Sequence, residues 1–347
     1  MQVIENDLIK EKVYIKKLKN GLTMMCIPKK NTSKKYIIFA TNYGSMDDRF
    51  IVPGEENETI VPDGVAHFLE HKLFEQENGR NSLDVLSSLG VNANAYTTNN
   101  HTAYLYECTN NFYEALDEFM NYVQSPYFTD ENVEKERGII GQEIGMYDDQ
   151  PEWKVYLNAL EALYVKNKVK IDPAGTVQTV SKINKEILYK CYNNFYKSSN
   201  MVIVVSGNFE AEEIFKEIEK RVIKEDSKEI AKKVFEEEPE EVNKKLIKKN
   251  MDVNIPIFML GIKCKKINSI NILDNSIEQI RKHIAVDIIL DIILGSGSKL
   301  YNELYDEGLI FSEFSSMYEY ARDYSHILIQ SQSYEYEKVV DRMKKQF

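Results

Sequence analysis

The sequence predicts an α+β chain built of two related halves. Residues 255–347 repeat the order of elements found earlier in the chain: a strand, a helix, a glycine-bearing turn, a pair of strands and a helix. At 347 residues the chain also exceeds the length that one hydrophobic core usually supports. We therefore expect two domains of similar architecture.

A charged segment separates the two predicted halves. The acidic run at residues 236–241 is followed by lysines at 244, 245, 248 and 249, and such a composition cannot bury a core. The sequence thus predicts a first domain at residues 1–226, a linker at 227–250 and a second domain at 251–347.

Composition excludes several classes of protein. A net charge of −11 without a long basic tract argues against a nucleic-acid partner. Residues 1–19 lack the apolar core of a signal peptide, and no segment approaches the ~18 apolar residues of a membrane span. The four cysteines (Cys26, Cys108, Cys191 and Cys264) lack CxxC spacing, which argues against a disulfide framework or a cysteine zinc site. We expect a cytoplasmic protein with no membrane association.

The first elements are predicted as strands. Residues 13–15 and 23–27 flank Lys19-Asn20-Gly21-Leu22, where Asn-Gly indicates a type I′ hairpin. A third strand is expected over residues 36–42. Residues 45–64, rich in Pro, Gly and acidic residues, are expected to form a long polar loop that leads into a helix.

Periodicity assigns the remaining elements. The first half is expected to continue with a helix at 80–89, paired strands at 91–96 and 102–108, helices at 112–123, 129–148, 151–164 and 185–195, a strand at 201–205 and a helix at 210–224. The second half is expected to hold a strand at 255–263, helices at 280–294 and 299–305, strands at 310–318 and 326–331, and a helix from 336. The glycine-rich turn at 295–298 lacks the lysine and the spacing of a nucleotide-binding loop, so we do not expect a phosphate site there.

The helix predicted at residues 65–74 carries two histidines around a glutamate. At about 100° per residue, His67, Glu70 and His71 project from one face. Two imidazoles at this spacing can bind one zinc ion, and Glu70 then stands where a general base is needed. The alternative is a pair of unrelated surface histidines, but the flanking residues are largely apolar and indicate a buried helix.

A second helix, predicted at residues 129–148, supplies two carboxylates. Glu136 and Glu143 fall within an apolar stripe that consists of Val133, Ile139, Ile140, Ile144, Met146 and Tyr147. A salt bridge to a core Arg or Lys is one explanation for carboxylates in such a place. Because the two-histidine site lacks a ligand, we favour the metal: Glu143 completes a His₂Glu set with a fourth position open for water, and Glu136 orients a histidine.

With these residues the chain resembles the pitrilysin/insulinase (inverzincin) zinc metallopeptidases. It is most similar to short bacterial members related to mitochondrial processing peptidase. The matching segments, besides His67-Phe68-Leu69-Glu70-His71 and the Glu136/Glu143 pair, are residues 19–22, 94–97, 200–201 and 294–301. The resemblance spans most of the chain and implies two αββ-rich halves that close a chamber around unfolded peptide.

The resemblance also implies a site. His67, His71 and Glu143 would bind Zn²⁺ and Glu70 would act as the base, with Glu136 in support of catalysis. The substrate would bind as an added strand along the edge formed by Asn94, Ala95, Tyr96 and Thr97. The chain would then be a zinc endopeptidase acting on unfolded peptides or a peptide precursor. The alternative is a non-catalytic peptide-binding or maturation partner that retains zinc only for structure.

Three departures from the family pattern concern length and the second half. The interval from His71 to Glu143 is somewhat short for the family, which a trimmed loop could explain. The second domain is less than half as long as the first, whereas family halves are near equal, so we expect a chain cut short at its C-terminus. The family's substrate-holding Arg and Tyr align with Tyr305 and Phe311. Neither replaces the donors of a guanidinium, so a homologous partner subunit in a heterodimer is expected to supply them. The alternative is that the pair is dispensable and the chain acts alone or as a homodimer.

Overall fold

The computed structural model describes residues 1–222, 229–265, 276–321 and 323–346. They form two compact units, which we call the first unit (Met1–Ile144 and Asp172–Val234) and the second unit (Gly145–Ile171 and Phe235–Phe347). This division differs from the predicted domain boundaries, because residues 145–171 pack with the second unit. The end of the helix predicted at 210–224 and the first two residues of the predicted linker, 227–228, lie outside the described residues.

The regular elements are numbered in chain order. The strands are β1 (Gln2–Asn6), β2 (Glu11–Lys17), β3 (Thr23–Pro28), β4 (Lys35–Thr41), β5 (Arg49–Ile51), β6 (Glu58–Ile60), β7 (Asn92–Thr97), β8 (Thr102–Cys108), β9 (Met201–Gly207), β10 (Lys232–Lys233), β11 (Ile257–Lys263), β12 (Ser315–Tyr320) and β13 (Ser325–Gln332). The helices are α1 (Val65–Lys72), α2 (Ser82–Ser88), α3 (Phe112–Gln124), α4 (Asp130–Asp148), α5 (Pro151–Leu163), α6 (Val177–Val180), α7 (Lys185–Phe195), α8 (Ala211–Glu219), α9 (Ser276–Leu294), α10 (Lys299–Asp306) and α11 (Tyr336–Met343). Short 3₁₀ turns occupy Lys168–Lys170 and Ser198–Asn200. The predicted α+β class is confirmed.

The main sheet of the first unit has the strand order β1-β2-β3-β9-β4-β8-β7. β9 pairs in parallel with β3 and antiparallel with β4, so the apolar strand predicted at 201–205 lies in the middle of the sheet. Every second residue of β9 is buried, as are Ile37 and Phe39 of β4. In the part of the chain that the structure describes, β7 pairs only with β8 and forms one edge of the sheet.

The hairpin between β2 and β3 forms as predicted, but its turn type was wrong. Gly21 has a φ of 98°, whereas Asn20 does not share the positive φ that a type I′ turn requires at both central positions. The Gly21 N–H donates to the Leu18 carbonyl at 3.0 Å and the Leu18 N–H to the Leu22 carbonyl at 2.8 Å. A Cβ on Gly21 would lie 2.7 Å from the Ser199 Cβ, so glycine is needed here for space as well as for φ.

Residues 45–64, predicted as a polar loop, contain β5 and β6. These strands form a small sheet with β10 in the order β10-β5-β6. Phe50 of β5 is fully buried and Met46 and Val61 nearly so, which anchors the segment to the core of the first unit. The strands are three residues long, too short to show an alternating pattern in the sequence.

The second unit contains a sheet in the order β11-β13-β12, with both pairings antiparallel. Its core includes Phe258, Leu304, Ile329 and Val339 from the sheet, α10 and α11. The strand predicted at 310–318 begins later, at residue 315, and Ile310 is buried in the loop before it. No helix among the described residues is long and apolar enough to cross a membrane.

The segment predicted as a linker is partly fixed to the second unit by Glu238. Its carboxylate accepts hydrogen bonds from the backbone N–H groups of Val165, Lys166 and Asn167 at 2.7–2.8 Å and from Lys263 Nζ at 2.6 Å. The side chain is buried by these contacts. This acidic residue therefore packs into the unit rather than lying in a solvated linker.

Candidate metal centre

Helix α1 positions both histidines because its apolar face is anchored in the core. Val65, Phe68 and Leu69 are buried there, which turns His67 and His71 to the opposite side. Gly64 precedes the helix with a φ of 98°, and a Cβ on it would lie 2.6 Å from the Ala174 carbonyl oxygen. The two imidazole centroids are 4.5 Å apart with the rings at 61°.

Helix α4 places Glu143 opposite both imidazoles. Its Oε1 lies 3.8 Å from His67 Nε2, and its Oε2 lies 3.6 Å from His71 Nε2. One ligand atom from each of these three residues lies within 4.8 Å of the others. These separations are too long for good hydrogen bonds. They fit zinc, because two ligands at about 2.1 Å in a tetrahedral site stand about 3.4 Å apart.

Glu136 contacts the ring nitrogen of His71 that does not face Glu143. Its Oε1 lies 3.0 Å from His71 Nδ1, and an Nδ1–H donated to this carboxylate leaves Nε2 as the acceptor that faces Glu143. Burial lowers the pKa of His71, but the hydrogen bond and charge of Glu136 outweigh it, and the net pKa is raised. Burial raises the pKa of Glu136, yet His71 and Lys72 bring it below its ordinary value.

His67 is buried in a different environment. Burial, followed by the neighbouring His71, lowers its pKa to about 3, so the ring is neutral at pH 7. Neutral imidazole is the form that binds a metal. The Nδ1 atom of His67 is buried and makes no hydrogen bond to any described residue.

Glu70 is the third carboxylate near the two histidines, and it is buried, with an exposed fraction of 8 %. Its Oε2 accepts a hydrogen bond from the Thr97 hydroxyl at 2.7 Å. Burial raises the pKa of Glu70, and the bond from Thr97 only partly offsets this effect. A carboxyl with a raised pKa can exchange protons nearer neutral pH, as a general base and acid must.

A cleft of about 390 Å³ opens beside these residues. Glu70, His71 and Glu136 form one side, and Asn94 and Ala95 of β7 form another. The other side chains that line it are mainly apolar or basic, and they include Phe74, Arg80, Leu83, Lys135 and Ile139. The edge strand and the candidate metal centre therefore share one cleft.

The structure also shows where the sequence predictions differ from the site. The apolar stripe predicted on α4 was wrong at Ile139 and Met146, which are 44 % and 56 % exposed. The buried face is narrower and follows Val133, Glu136, Ile140 and Ile144. Glu143 lies at its margin, half-buried, where it can reach the histidines.

The predicted substrate residues lie in different units. Asn94, Ala95, Tyr96 and Thr97 occupy the edge strand β7 of the first unit. Tyr305 on α10 and Phe311 in the loop after it belong to the second unit, with exposed fractions of 57 % and 49 %. The sequence analysis did not single out Lys72, the buried last residue of α1. A lysine in a largely apolar helix indicates a buried cation that needs anionic partners.

Two profiles of one family cover most of the chain. "Insulinase (Peptidase family M16)" matches residues 50–176, and "Peptidase M16 inactive domain" matches residues 182–347. The uncharacterized zinc protease YmfH of Bacillus subtilis is 39 % identical over 314 residues, which cover 90 % of this chain and 72 % of that protein. The chain belongs to peptidase family M16. The predicted pitrilysin/insulinase relationship is thereby confirmed.

The chain is also similar to other zinc proteases and solved peptidase structures. The crystal structure of a putative M16-like peptidase from Alicyclobacillus acidocaldarius is 35 % identical with a TM-score of 0.88, and the match covers 99 % of this chain and 79 % of that one. Pitrilysin, at 16 % identity and a TM-score of 0.70, shows the same fold; the match covers 99 % of this chain and 37 % of pitrilysin. An uncharacterized zinc protease of Rickettsia bellii is 31 % identical over 216 residues, which cover 61 % of this chain and 50 % of that protein.

Proposed function

We propose that this protein is a zinc endopeptidase whose metal is held by His67, His71 and Glu143. The observation that carries the proposal is the convergence of both Nε2 atoms on the Glu143 carboxylate at 3.6 and 3.8 Å. Glu70, also on α1, stands beside this group without an ion pair among the described residues. M16 membership and the zinc-protease names of the relatives agree with this chemistry.

Different residues of the chain have separate roles in the proposed hydrolysis. A zinc ion held by His67, His71 and Glu143 would supply Lewis-acid chemistry to the scissile carbonyl and to the attacking water. Glu70 accepts a proton from the attacking water and delivers it to the leaving amine. The Thr97 hydroxyl holds one Glu70 oxygen in place, which leaves the other for the water. Glu136 holds His71 in the tautomer that can act as a ligand.

The substrate is an unfolded peptide or peptide precursor that adds to β7 as a further strand. β7 has an open edge among the described residues, and its Asn94 and Ala95 line the cleft next to Glu70. Backbone pairing along such an edge is a common mode of peptide recognition. It requires an extended chain, which agrees with unfolded segments as substrates.

A homologous subunit completes the substrate site. Tyr305 offers a single hydroxyl and Phe311 no donor at the positions where the family resemblance implies Arg and Tyr. A peptide that is poorly anchored loses the positioning that brings its carbonyl to the metal. A partner that contributes the Arg/Tyr pair restores it.

The variant Glu70→Gln tests the proposed reaction. It should keep zinc content and thermal stability but lose cleavage of an unstructured fluorogenic peptide by about 10²–10⁴-fold, the usual range for a general base. Glu77→Gln, a nearby exposed glutamate, serves as the matched control and should remain active. If the zinc-loaded wild-type protein cleaves nothing even with its homologous partner present, the non-catalytic peptide-binding function is the correct one.

A further inference from the structure

Lys72 is a fully buried lysine directly after the metal-binding motif. Its side chain is 0 % exposed, at the C-terminal end of α1 next to His71. Taking an ammonium out of water costs several kcal/mol unless anions compensate for it. A buried cation at this position therefore calls for a specific role.

Two carboxylates surround the ammonium of Lys72. Nζ forms an ion pair with Glu75 and lies 3.6 Å from Glu136 Oε2. The other oxygen of Glu136, Oε1, is the atom that contacts His71 Nδ1 at 3.0 Å. Lys72, Glu136 and His71 thus form a continuous polar chain that ends at the candidate ligand atom His71 Nε2.

We propose that Lys72 is a positioning residue that acts on the metal centre through Glu136. Its charge fixes Oε2 of Glu136 and so leaves Oε1 facing His71 Nδ1, which keeps His71 Nε2 aimed at Glu143. The side chain of Glu136 is only 11 % exposed, so water offers little substitute for the ammonium. This inference rests on the proposed zinc site.

The competing role for Lys72 is to hold Glu75. Glu75 pairs through its backbone with Asn81 and lines the cleft, so the Lys72–Glu75 ion pair could serve only to fix this turn. The two roles differ in what they predict for zinc. A role through Glu136 changes metal affinity, whereas a role through Glu75 does not.

A double-mutant cycle distinguishes the two roles of Lys72. Zinc affinity is measured by competition with a chelator for the wild-type chain, Lys72→Met, Glu136→Gln and the double variant. Each single variant should bind zinc about 10–100-fold more weakly, as expected when a partner that orients a ligand is lost. The double variant should match Glu136→Gln to within about threefold, because Lys72 then has no carboxylate through which to act. Glu75→Gln is the control and should bind zinc like the wild type.

Three outcomes would overturn the proposal. The first is that folded Lys72→Met binds zinc as tightly as the wild type. The second is that the losses of zinc affinity in the two single variants multiply in the double variant. The third is that Glu75→Gln loses as much zinc affinity as Lys72→Met. If Lys72→Met alone does not fold, the double variant, which removes both buried charges, is compared directly with Glu136→Gln. A further loss of zinc affinity above about threefold then refutes the proposal. A wild-type chain that binds no zinc refutes the proposed function itself, which is a distinguishable result.

Discussion

Three glutamates within the candidate metal centre take different roles because their neighbours differ. Glu143 faces two Nε2 atoms, Glu136 is held by His71 and Lys72, and Glu70 is contacted by the hydroxyl of Thr97. The pKa of Glu136 is lowered by its partners, whereas burial raises that of Glu70. The partners of Glu136 therefore favour its ionised form, whereas the burial of Glu70 favours proton exchange nearer neutral pH.

The ligand assignment predicts unequal losses of zinc in two alanine variants. Glu143→Ala removes a ligand and should leave little zinc after dialysis. Glu136→Ala removes only the hydrogen bond that orients His71 and should weaken zinc binding about 10–100-fold. Metal analysis of both proteins, with Glu134→Ala on the exposed side of α4 as the control, checks this. Stoichiometric zinc in Glu143→Ala would mean that another carboxylate, such as Glu136, is the ligand.

The contact between Thr97 and Glu70 predicts how activity depends on pH. Its hydroxyl lowers the pKa of Glu70, so Thr97→Val should raise that pKa further. A base works only when ionised, and activity is lost as the pH falls through its pKa. The acid limb of the kcat/KM profile should therefore move to higher pH, while zinc affinity stays unchanged. An acid limb that stays in place would show that Glu70 is not the group titrating there; Thr23→Val is the strand control.

At the scale of elements, long and strongly patterned segments were predictable and short ones were not. The positions of α1, α4, β7 and β9 follow from apolar periodicity, and the candidate metal ligands lie on α1 and α4. β1 was missed because its two apolar residues, Val3 and Ile4, are adjacent and do not alternate with polar ones. All five residues of β1 are exposed in the structure. The apolar stripe of α4 was predicted too broad, since periodicity shows which residues share a face but not how much of it is covered.

The contacts of Glu238 predict that part of the charged segment contributes to stability. Glu238→Ala leaves three backbone N–H groups without their acceptor, and Lys263 keeps the Pro239 and Glu241 carbonyls but loses this carboxylate. It should lower the free energy of unfolding by about 3 kcal/mol. Glu236→Ala, half-exposed in the same segment, should change it by less than about 1 kcal/mol. Denaturant unfolding of both variants measures this. Equal stabilities would show that the segment is a free linker after all.

The same carboxyl links the stability of the second unit to pH. Burial raises the pKa of Glu238, but Lys263 and the backbone N–H groups bring the net value below the ordinary 4.5. A depressed carboxyl pKa stabilises the folded state at pH values above 4.5. The contribution is lost as the pH falls below 4.5 through the folded-state pKa. The stability gap between wild type and Glu238→Ala should therefore narrow in acid when unfolding is followed from pH 7 to pH 3.

At the scale of the whole molecule, every candidate metal ligand lies in the first unit. His67, His71 and Glu143 belong to it, as does the edge strand β7. Tyr305 and Phe311 are exposed residues of the second unit. The sequence could indicate the candidate metal site because the proposed ligands lie on two patterned helices. The sequence could not indicate what contacts Tyr305 and Phe311. Such contacts depend on residues distant in sequence, which the periodicity of a single element does not reveal.

The proposed partner subunit predicts how the isolated chain behaves. Alone, it should bind zinc but cleave unstructured peptides slowly, and addition of a homologue that carries the Arg/Tyr pair should raise the rate. The double variant Tyr305→Arg/Phe311→Tyr should raise the activity of the isolated chain, because a guanidinium and a phenol then supply the missing donors in the same polypeptide. Tyr113→Arg, at an exposed tyrosine of the first unit, controls for added charge and should not do so. Full activity of the wild-type chain alone, unchanged by either the partner or the double variant, would mean that the pair is dispensable and that the protein acts without a second subunit.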